Sequence, residues 1–354
     1  MTVYLLAGGG TAGHVNPLLA TADEIRRTEP NSDIIVLGTA EGLESRLVPA
    51  AGLELATIAK LPFPRALSAA ALSYPFRLAR AVGVVRRLIR DRHVDVVVGF
   101  GGYASAPAYL AARVEKVPIV VHEANAIPGI ANKLGALFTR FVGVTFAGTP
   151  IANATTVGMP LRREIAELDR DATRAEARAF FGLDSRPVLL VTGGSTGAAR
   201  INSTVVASVS DIVASGWQVI HTVGESREFV NPNVPGYHPL PYCDRMDLAI
   251  AASDFAVSRA GASTVSEFAA VGLPAAYVPY PVGNGEQKFN VQDLVAAGGG
   301  ILISDAEFTP EFVAQKLVPL ISNSKMLRAM SAAARANGVS DGTDRLFNLV
   351  QGVL

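Results

Sequence analysis

The fold is indicated first by residues 1–17, which read MTVYLLAGGGTAGHVNP. The apolar run at its start predicts a buried β-strand, and the glycines that follow predict a tight turn. Asn16 and Pro17 suit the N-cap and the first position of a following helix. A strand, a glycine turn and a helix in this order form the first half of a βαβ unit.

Similar apolar runs recur along the chain, bounded by glycine and separated by stretches with helical periodicity. In the first half they cover 3–7, 33–37, 94–100, 118–122 and 141–144. After Pro160 they cover 187–192, 217–223, 254–257, 275–278 and 300–303. This alternation predicts an α/β protein with two parallel sheets.

The two series are separated by residues 147–160, which are rich in Gly, Pro, Thr and Asn and are interpreted as a linker. We therefore expect two Rossmann-like domains, over 1–158 and 159–342. A chain of 354 residues is long enough for two such domains. A short amphipathic helix over 343–354 could pack back on the first domain, and the sequence leaves this open.

Composition narrows the class of protein. Hydrophobic residues make up 49% of the chain, which excludes intrinsic disorder, and 31 Lys and Arg balance 31 Asp and Glu. No global charge therefore favours nucleic acid as a partner. The single cysteine, Cys243, suits a reducing compartment. The N-terminus lacks the basic stretch of a signal peptide, and no apolar run approaches the ~20 residues of a membrane span, so a cytoplasmic location is expected.

Three glycine loops follow predicted strands, where parallel sheets commonly bind ligands. They cover 8–13, which fits G-x-G-x-x-G, 99–103 and 193–197. A dinucleotide site at the first loop needs an acid at the end of the second strand, but residues 36–39 read VLGT and Glu41 comes late. Each loop alone could be a turn without a ligand. Together they favour ligand sites in both halves.

Residues 258–267, which read SRAGASTVSE, combine a strand end, a glycine turn and a helix start. The free N–H groups of that helix would suit a diphosphate, and Glu267 would suit the vicinal hydroxyls of a ribose. Alternatively, Thr264 and Glu267 form a capping box. His14, after the first loop, could act as a general base, or it could simply pack at a helix start.

Taken together, residues 10–17, 99–103, 122–125 (HEAN), 193–197 and 259–267 resemble the MurG family, bacterial transferases that make lipid II from lipid I. The resemblance runs nearly end to end. It implies the GT-B fold, in which two Rossmann-like domains with parallel sheets face each other across a cleft. It also implies inverting transfer of N-acetylglucosamine (GlcNAc) from UDP-GlcNAc to the muramyl 4-hydroxyl of lipid I.

The resemblance further implies residue roles. UDP-GlcNAc contacts are expected at Arg162, Ser195, Asn202, Ala262, Ser263, Thr264, Glu267, Gln287 and Asn125. Acceptor contacts are expected at Thr11, Gly13, His14, Gly102, Tyr103, Glu123, Asn125 and Asn132. His14, Glu267 and Tyr103 are the expected catalytic residues, with His14 as the leading candidate for the base.

Two positions depart from the family pattern. Glu286 stands where members commonly have an amide or imidazole, and its role is open. Ala12 replaces a frequent glycine, so the turn there must avoid left-handed geometry.

No cofactor and no essential metal are predicted. Residues 169–171 spell D-x-D, a pattern that can hold Mg²⁺ or Mn²⁺, but they are interpreted as a helix N-cap. Helix N-termini and arginine can stabilise the diphosphate leaving group instead.

A basic and apolar segment over 65–92 predicts peripheral docking on an anionic membrane surface through Arg77, Arg80, Arg86 and Arg87. An ordinary amphipathic surface helix is the alternative. The expected location is the inner face of the bacterial cell membrane, where cell-wall assembly proteins are possible partners.

Three other functions are compatible with parts of the sequence. A related GT-B transferase acting on another lipid or on a soluble acceptor would share the fold and the donor site. An NAD-dependent oxidoreductase is disfavoured by the missing acid. A non-catalytic nucleotide-sugar binding module is disfavoured by the presence of both His14 and Glu267.

Overall fold

The structure is a computed structural model that describes residues 1–63, 69–194, 198–224, 229–281 and 285–354. Within these residues the chain divides into two units, one formed by Met1–Arg162 with Asp341–Leu354 and the other by Arg163–Ser340. The predicted candidate Ser195, together with Arg65 and Leu67, lies outside the described residues.

A parallel sheet forms the centre of the first unit, with β3-β2-β1-β4-β5-β6-β7 as the order of its described strands. They are β1 (Val3–Ala7), β2 (Asp33–Thr39), β3 (Glu54–Ile58), β4 (Val96–Gly99), β5 (Ile119–Glu123), β6 (Val142–Val144) and β7 (Ala154–Thr156). The helices of this unit are α1 (Ala12–Thr28), α2 (Glu44–Ala50), α3 (Ala69–Asp91), α4 (Gly102–Glu115) and α5 (Ile130–Ala136).

The second unit repeats this plan, and its described strands have the order β10-β9-β8-β11-β12-β13, again all parallel. They are β8 (Val188–Thr192), β9 (Gln218–Thr222), β10 (Tyr237–Leu240), β11 (Phe255–Ser258), β12 (Ala275–Tyr277) and β13 (Gly300–Leu302). The prediction of two parallel α/β sheets is confirmed.

The helices of the second unit cover its sheet. They are α6 (Arg163–Ala166), α7 (Arg170–Phe180), α8 (Ala199–Ala214), α9 (Met246–Ala252), α10 (Ala262–Ala270), α11 (Glu286–Asn290), α12 (Gln292–Ala296), α13 (Pro310–Phe312), a π-helical turn (Val313–Leu317), α14 (Val318–Ile321) and α15 (Ser324–Asn337). No helix in the described part of the chain combines the length and apolarity needed to cross a membrane.

The last helix, α16 (Gly342–Gln351), belongs to the first unit. Its Leu346 and Val350 are fully buried in the core formed with α1 and the central strands. The Thr343 hydroxyl donates to the carbonyl of Leu161 at 2.9 Å, which ties the helix to the end of the unit's first segment. The first segment of this unit ends at Arg162, four residues beyond the boundary at residue 158 expected from the sequence.

Two local predictions are wrong. α1 starts at Ala12 with Thr11 in the N-cap position, so Asn16 and Pro17 lie inside the helix rather than at its start. Gly10 adopts φ +90°, which turns the chain sharply enough for the helix to begin directly after the loop. The predicted linker over 147–160 also contains a strand, β7, which extends the edge of the first sheet.

In both sheets the strand order reverses beside the first strand, between β1 and β4 and again between β8 and β11. Open parallel sheets bind ligands outside the carboxyl ends of the strands at such switch points. The loops after these four strands are therefore the places where functional residues are expected.

Candidate functional sites at the two sheet edges

The loops after β1 and β4 contact each other closely. A Cβ atom on Gly102 would lie only 2.4 Å from the carbonyl oxygen of Gly9, and one on Gly10 would lie 3.7 Å from the ring of Tyr103. Gly102 also has φ +76°, so both its conformation and its neighbour require glycine. The structure thus brings together the two glycine loops that the sequence places far apart.

His14 lies in the first turn of α1 and is half-buried. Its Nδ1 is 3.1 Å from the carbonyl oxygen of Gly9 and 3.3 Å from the Thr11 hydroxyl. Because a carbonyl oxygen can only accept, Nδ1 carries the proton in the first of these bonds. Nε2 then has a free lone pair, and it has no hydrogen-bond partner among the described residues. This tautomer makes Nε2 the nitrogen that can accept a proton as a general base.

A carboxylate that the sequence interpretation missed fills the first glycine loop. Glu44 is fully buried, and its Oε2 accepts from the Gly10 N–H at 2.8 Å. Its Oε1 accepts from the Thr39 N–H at 2.9 Å and from the Thr39 hydroxyl at 2.7 Å. Burial alone would raise the pKa of Glu44, but these hydrogen bonds outweigh it and hold the pKa below its usual value.

The position of Glu44 argues physically against a dinucleotide site at this loop. A dinucleotide would need the Gly10 N–H for its pyrophosphate, and an anionic side chain already accepts from that group. An acid does therefore follow β2, but it is the first residue of α2, five residues beyond the strand end, and its carboxylate faces the glycine loop. The sequence signals of this contact are the glycines at 9, 38 and 42, because a Cβ atom at any of them would lie within 2.5 Å of the Glu44 side chain.

Three of the predicted acceptor residues lie in or beside the loop after β5: Glu123 ends the strand, Asn125 lies in the loop, and Asn132 lies on α5. Glu123 is 2% exposed, and its carboxylate accepts from the backbone N–H groups of Asn125 and Gly129 and from the Asn132 side chain, each at 2.9 Å. The Asn132 Oδ1 in turn accepts from the Tyr109 hydroxyl at 2.8 Å. Glu123 and Asn132 are therefore buried residues that hold the loop in place through hydrogen bonds, whereas Asn125 is half-buried and lies nearer to solvent.

Beside this loop, His122 is held neutral. It is fully buried, its Nε2 lies 3.1 Å from the Gly158 carbonyl oxygen, and its Nδ1 has no partner among the described residues. Burial lowers the pKa of His122 to about 4, despite the backbone hydrogen bond. His122 therefore helps to fix the strand end rather than to exchange protons near neutral pH.

In the second unit, the start of α10 is open. Gly261 occupies the N-cap position and makes no side-chain cap, so the first N–H groups of this nine-residue helix lack the usual cap. The Ser263 hydroxyl is buried and has no partner among the described residues. The capping-box alternative is wrong, because Thr264 lies in the third helical position instead of the N-cap. Glu267 lies one turn further and is 8% exposed.

The carboxyl end of β11 is held in place by Arg259, which directly precedes this turn. Its guanidinium donates to the carbonyls of Val278 and Pro279 at 3.0 and 3.1 Å and to Asp305 at 2.5 Å. It also lies 5.5 Å from the centre of the exposed Tyr280 ring. These contacts fix the end of β11 directly before the helix start.

The other predicted donor residues occupy different settings. Gln287 lies on α11, where its Oε1 accepts from the Tyr280 N–H at 2.9 Å, and Glu286 is the first residue of that helix. Asn202 is buried, donates to the Val223 carbonyl at 2.7 Å and pairs with His221 at 3.1 Å. Asn202 therefore supports the loop after β9.

Arg162 is half-buried and ends the first segment of the first unit. It lies directly before α6, the first helix of the second unit, and its role as a donor contact stays a prediction.

The D-x-D segment is a helix cap. The Asp169 carboxylate accepts from the backbone N–H groups of Asp171 and Ala172 at 3.0 and 3.1 Å, at the start of α7. The N-cap interpretation is confirmed. Arg170, between the two acids, points away to the carbonyls of Gly272 and Ser253.

The basic helix α3 has two faces. Ala81, Val85 and Ile89 are buried in the core of the first unit, whereas Leu72 and Phe76 are 79% and 80% exposed. Exposed arginines on the open side are Arg77, Arg80 and Arg87. Arg86 instead pairs with Glu115 at 2.6 Å, and this partner from α4 could not be foreseen from the segment alone. Arg86 is therefore not an open cation of this surface.

One further cation lies at the edge of the first sheet. Lys60, two residues after β3, is exposed and places its ammonium 5.5 Å from the centre of the Tyr103 ring. Arg77 donates to the Lys60 carbonyl at 2.9 Å. Lys60 is not among the residues predicted from the sequence, because β3, the strand directly before it, is not predicted either.

Comparison with known proteins now assigns the family. The N-terminal domain of glycosyltransferase family 28 matches residues 4–144, and the C-terminal domain of that family matches residues 188–346. A Clavibacter sepedonicus protein named UDP-N-acetylglucosamine--N-acetylmuramyl-(pentapeptide) pyrophosphoryl-undecaprenol N-acetylglucosamine transferase is 62% identical over 353 residues, covering 99% of this chain and 96% of the relative. A protein of the same name from Leifsonia xyli subsp. xyli is 57% identical over 352 residues, covering 99% and 98%.

Among solved structures, Acinetobacter baumannii MurG matches with a TM-score of 0.80 at 26% identity, covering 99% of this chain and all of that one. The similarity thus covers both domains of the family and nearly the whole length of the named relatives. The chain therefore belongs to the MurG family of glycosyltransferases, within the GT-B superfamily.

Proposed function

We propose that the chain transfers GlcNAc from UDP-GlcNAc to the muramyl 4-hydroxyl of lipid I, with inversion, to give lipid II for peptidoglycan synthesis. The observation that carries this function is the 62% identity, over nearly the full length, to a relative named for this reaction. The alternative, a GT-B transferase for another acceptor, lacks comparable support.

The second unit is proposed to bind the donor. The uncapped N–H groups of α10 and the buried Ser263 hydroxyl offer hydrogen-bond donors to a diphosphate, and the helix dipole favours its charge. Glu267 would accept from the ribose hydroxyls one turn further on. Gln287 would contact the sugar, and Asn202 would support the pocket from beneath.

The first unit is proposed to bind the acceptor along Thr11, Gly13, Gly102 and Tyr103. His14 Nε2 would take the proton of the 4-hydroxyl as that oxygen attacks C1 of GlcNAc. The bond between C1 and the phosphate oxygen breaks on the opposite face, so the configuration inverts and UDP leaves with the bonding electrons.

Membrane docking through α3 is proposed from its exposed Leu72 and Phe76 and the exposed arginines beside them. Charge reversal of Arg80 and Arg87 removes two cations, each contributing up to about 1 kcal/mol, and introduces two anions. Loss of the cations alone should weaken binding to anionic vesicles by up to about 30-fold, and repulsion by the new anions should weaken it further. Charge reversal of the exposed Lys325 and Arg328 in the second unit is the matched control, because it changes the net charge equally. Equal vesicle binding by both variants would refute docking through α3.

The transfer itself is tested with radiolabelled UDP-GlcNAc and either lipid I or a lipid acceptor without the muramyl unit. We expect labelled product only with lipid I. Product with the second acceptor alone would overturn the proposed substrate and favour the alternative transferase.

A further inference from the structure

A single peptide group lies between Glu44 and His14. Its N–H belongs to Gly10 and donates to Glu44 Oε2 at 2.8 Å. Its C=O belongs to Gly9 and accepts from His14 Nδ1 at 3.1 Å. The buried carboxylate and the imidazole are therefore joined in line through one amide, in the order carboxylate, N–H, C=O and Nδ1–H.

Such a chain of hydrogen bonds is cooperative, because each bond polarises the next in a low-dielectric setting. The negative charge on Glu44 polarises the Gly9–Gly10 peptide through the Gly10 N–H, so the Gly9 carbonyl oxygen becomes a stronger hydrogen-bond acceptor. The same bond fixes the plane of this peptide, and hence the direction in which the carbonyl oxygen faces His14. Cβ atoms on Gly9, Gly38 or Gly42 would lie within 2.5 Å of the Glu44 side chain, so the surrounding backbone closes around the carboxylate.

We propose that Glu44 is a positioning residue that acts on His14 through the Gly9–Gly10 peptide. It holds the imidazole in the Nδ1–H tautomer with Nε2 unprotonated. The arrangement performs the task of the carboxylate in a carboxylate–histidine pair, with an amide inserted between the two side chains. This inference rests on the proposed role of His14 as the base for the acceptor hydroxyl.

The direct test is the His14 tautomer, read from ¹⁵N–¹H correlation spectra of the full chain labelled at histidine. The chain has five histidines, so the His14 signal is assigned by its loss in His14→Gln. The wild-type protein should show Nδ1 protonated and Nε2 unprotonated. A wild-type His14 protonated at Nε2 overturns the proposal without any Glu44 variant.

The variant test uses Glu44→Gln, which keeps the side-chain volume but leaves one accepting oxygen for three donors. We expect the His14 tautomer to become mixed and kcat to fall about tenfold, a part of the 10²–10⁴-fold that a general base typically contributes. The KM for UDP-GlcNAc should stay unchanged, because the donor is bound by the second unit. Unchanged kcat or an unchanged tautomer in a folded variant contradicts the proposal.

Glu24→Gln is the matched control, since Glu24 is another buried carboxylate on the helix of His14 and accepts from Arg27 and Thr28 rather than from the glycine loop. It should lower stability while kcat and the tautomer stay near wild type. A fall in kcat equal to that of Glu44→Gln would mean that losing any buried carboxylate of the first unit is sufficient, and would overturn the specific role of Glu44. If the wild type transfers no GlcNAc, the proposed function fails, whereas the tautomer still decides the role of Glu44.

Discussion

Replacing Gly102 with alanine tests whether contact between the two glycine loops holds the first site together. Two penalties apply. An alanine at φ +76° costs about 1–2 kcal/mol, and a Cβ 2.4 Å from the Gly9 carbonyl oxygen adds about 1–3 kcal/mol of overpacking. Gly148→Ala is a close control, because Gly148 also has φ +76° but a Cβ there would meet nothing within 4 Å.

The assay is urea unfolding of the full chain, combined with kcat under donor and acceptor saturation. Gly102→Ala should lower the free energy of unfolding by about 1–3 kcal/mol more than Gly148→Ala, which is the loop contact alone. It should also lower kcat, since the displaced Gly9 carbonyl orients His14. Equal losses of stability in both variants, with kcat unaffected, would refute the reasoning.

Three further predictions concern stability. Burial lowers the pKa values of His122 and His221 to about 4, so the unfolded chain binds protons first as the pH falls below about 6.5. The free energy of unfolding, measured with urea, should therefore be highest near neutral pH and fall by about 2 kcal/mol per histidine by pH 5. A free energy of unfolding that does not change between these pH values would contradict this. Gln351→Ala removes hydrogen bonds to the Tyr4 hydroxyl and to the Glu29 carboxylate, and it should lower the free energy of unfolding by about 2 kcal/mol. An unchanged melting temperature would contradict this prediction. Asp169→Ala should lower the free energy of unfolding by about 1 kcal/mol, because the helix loses its N-cap. The variant should still turn over substrate, and so should the wild type in excess EDTA. Turnover that is lost in EDTA and restored by Mg²⁺ would show a metal requirement.

The central strands could be predicted because they are continuous apolar runs that are buried on both faces. β1 was predicted with its observed bounds, Val3–Ala7, and each of its five residues is buried. β3, β7 and β10 were missed, and each lies at the edge of its sheet. Their sequences ELATI, ATT and YHPL are partly or fully exposed, so they lack the apolar pattern that identifies a strand.

The site was predictable where a motif carries its own chemistry. The glycine loops at 8–13 and 99–103 and the helix start at α10 follow from local sequence, and the structure places them at the switch points of the sheets. The role of Glu44 was not predictable, because it depends on the approach of a side chain to a loop 34 residues away. The pairing of Arg86 with Glu115 likewise joins two helices, and no periodicity within α3 indicates it.

The start of α10 and Glu267 form the proposed site of uridine diphosphate, on which the transfer reaction depends. Calorimetric titration of UDP-GlcNAc into the full chain, into Glu267→Ala and into the exposed control Glu311→Ala tests this directly. One-to-one binding is expected for the wild type and the control, with affinity at least about tenfold weaker in Glu267→Ala because a charged hydrogen bond is lost. Folded wild-type protein that binds no UDP-GlcNAc, or equal affinity in all three proteins, would contradict it.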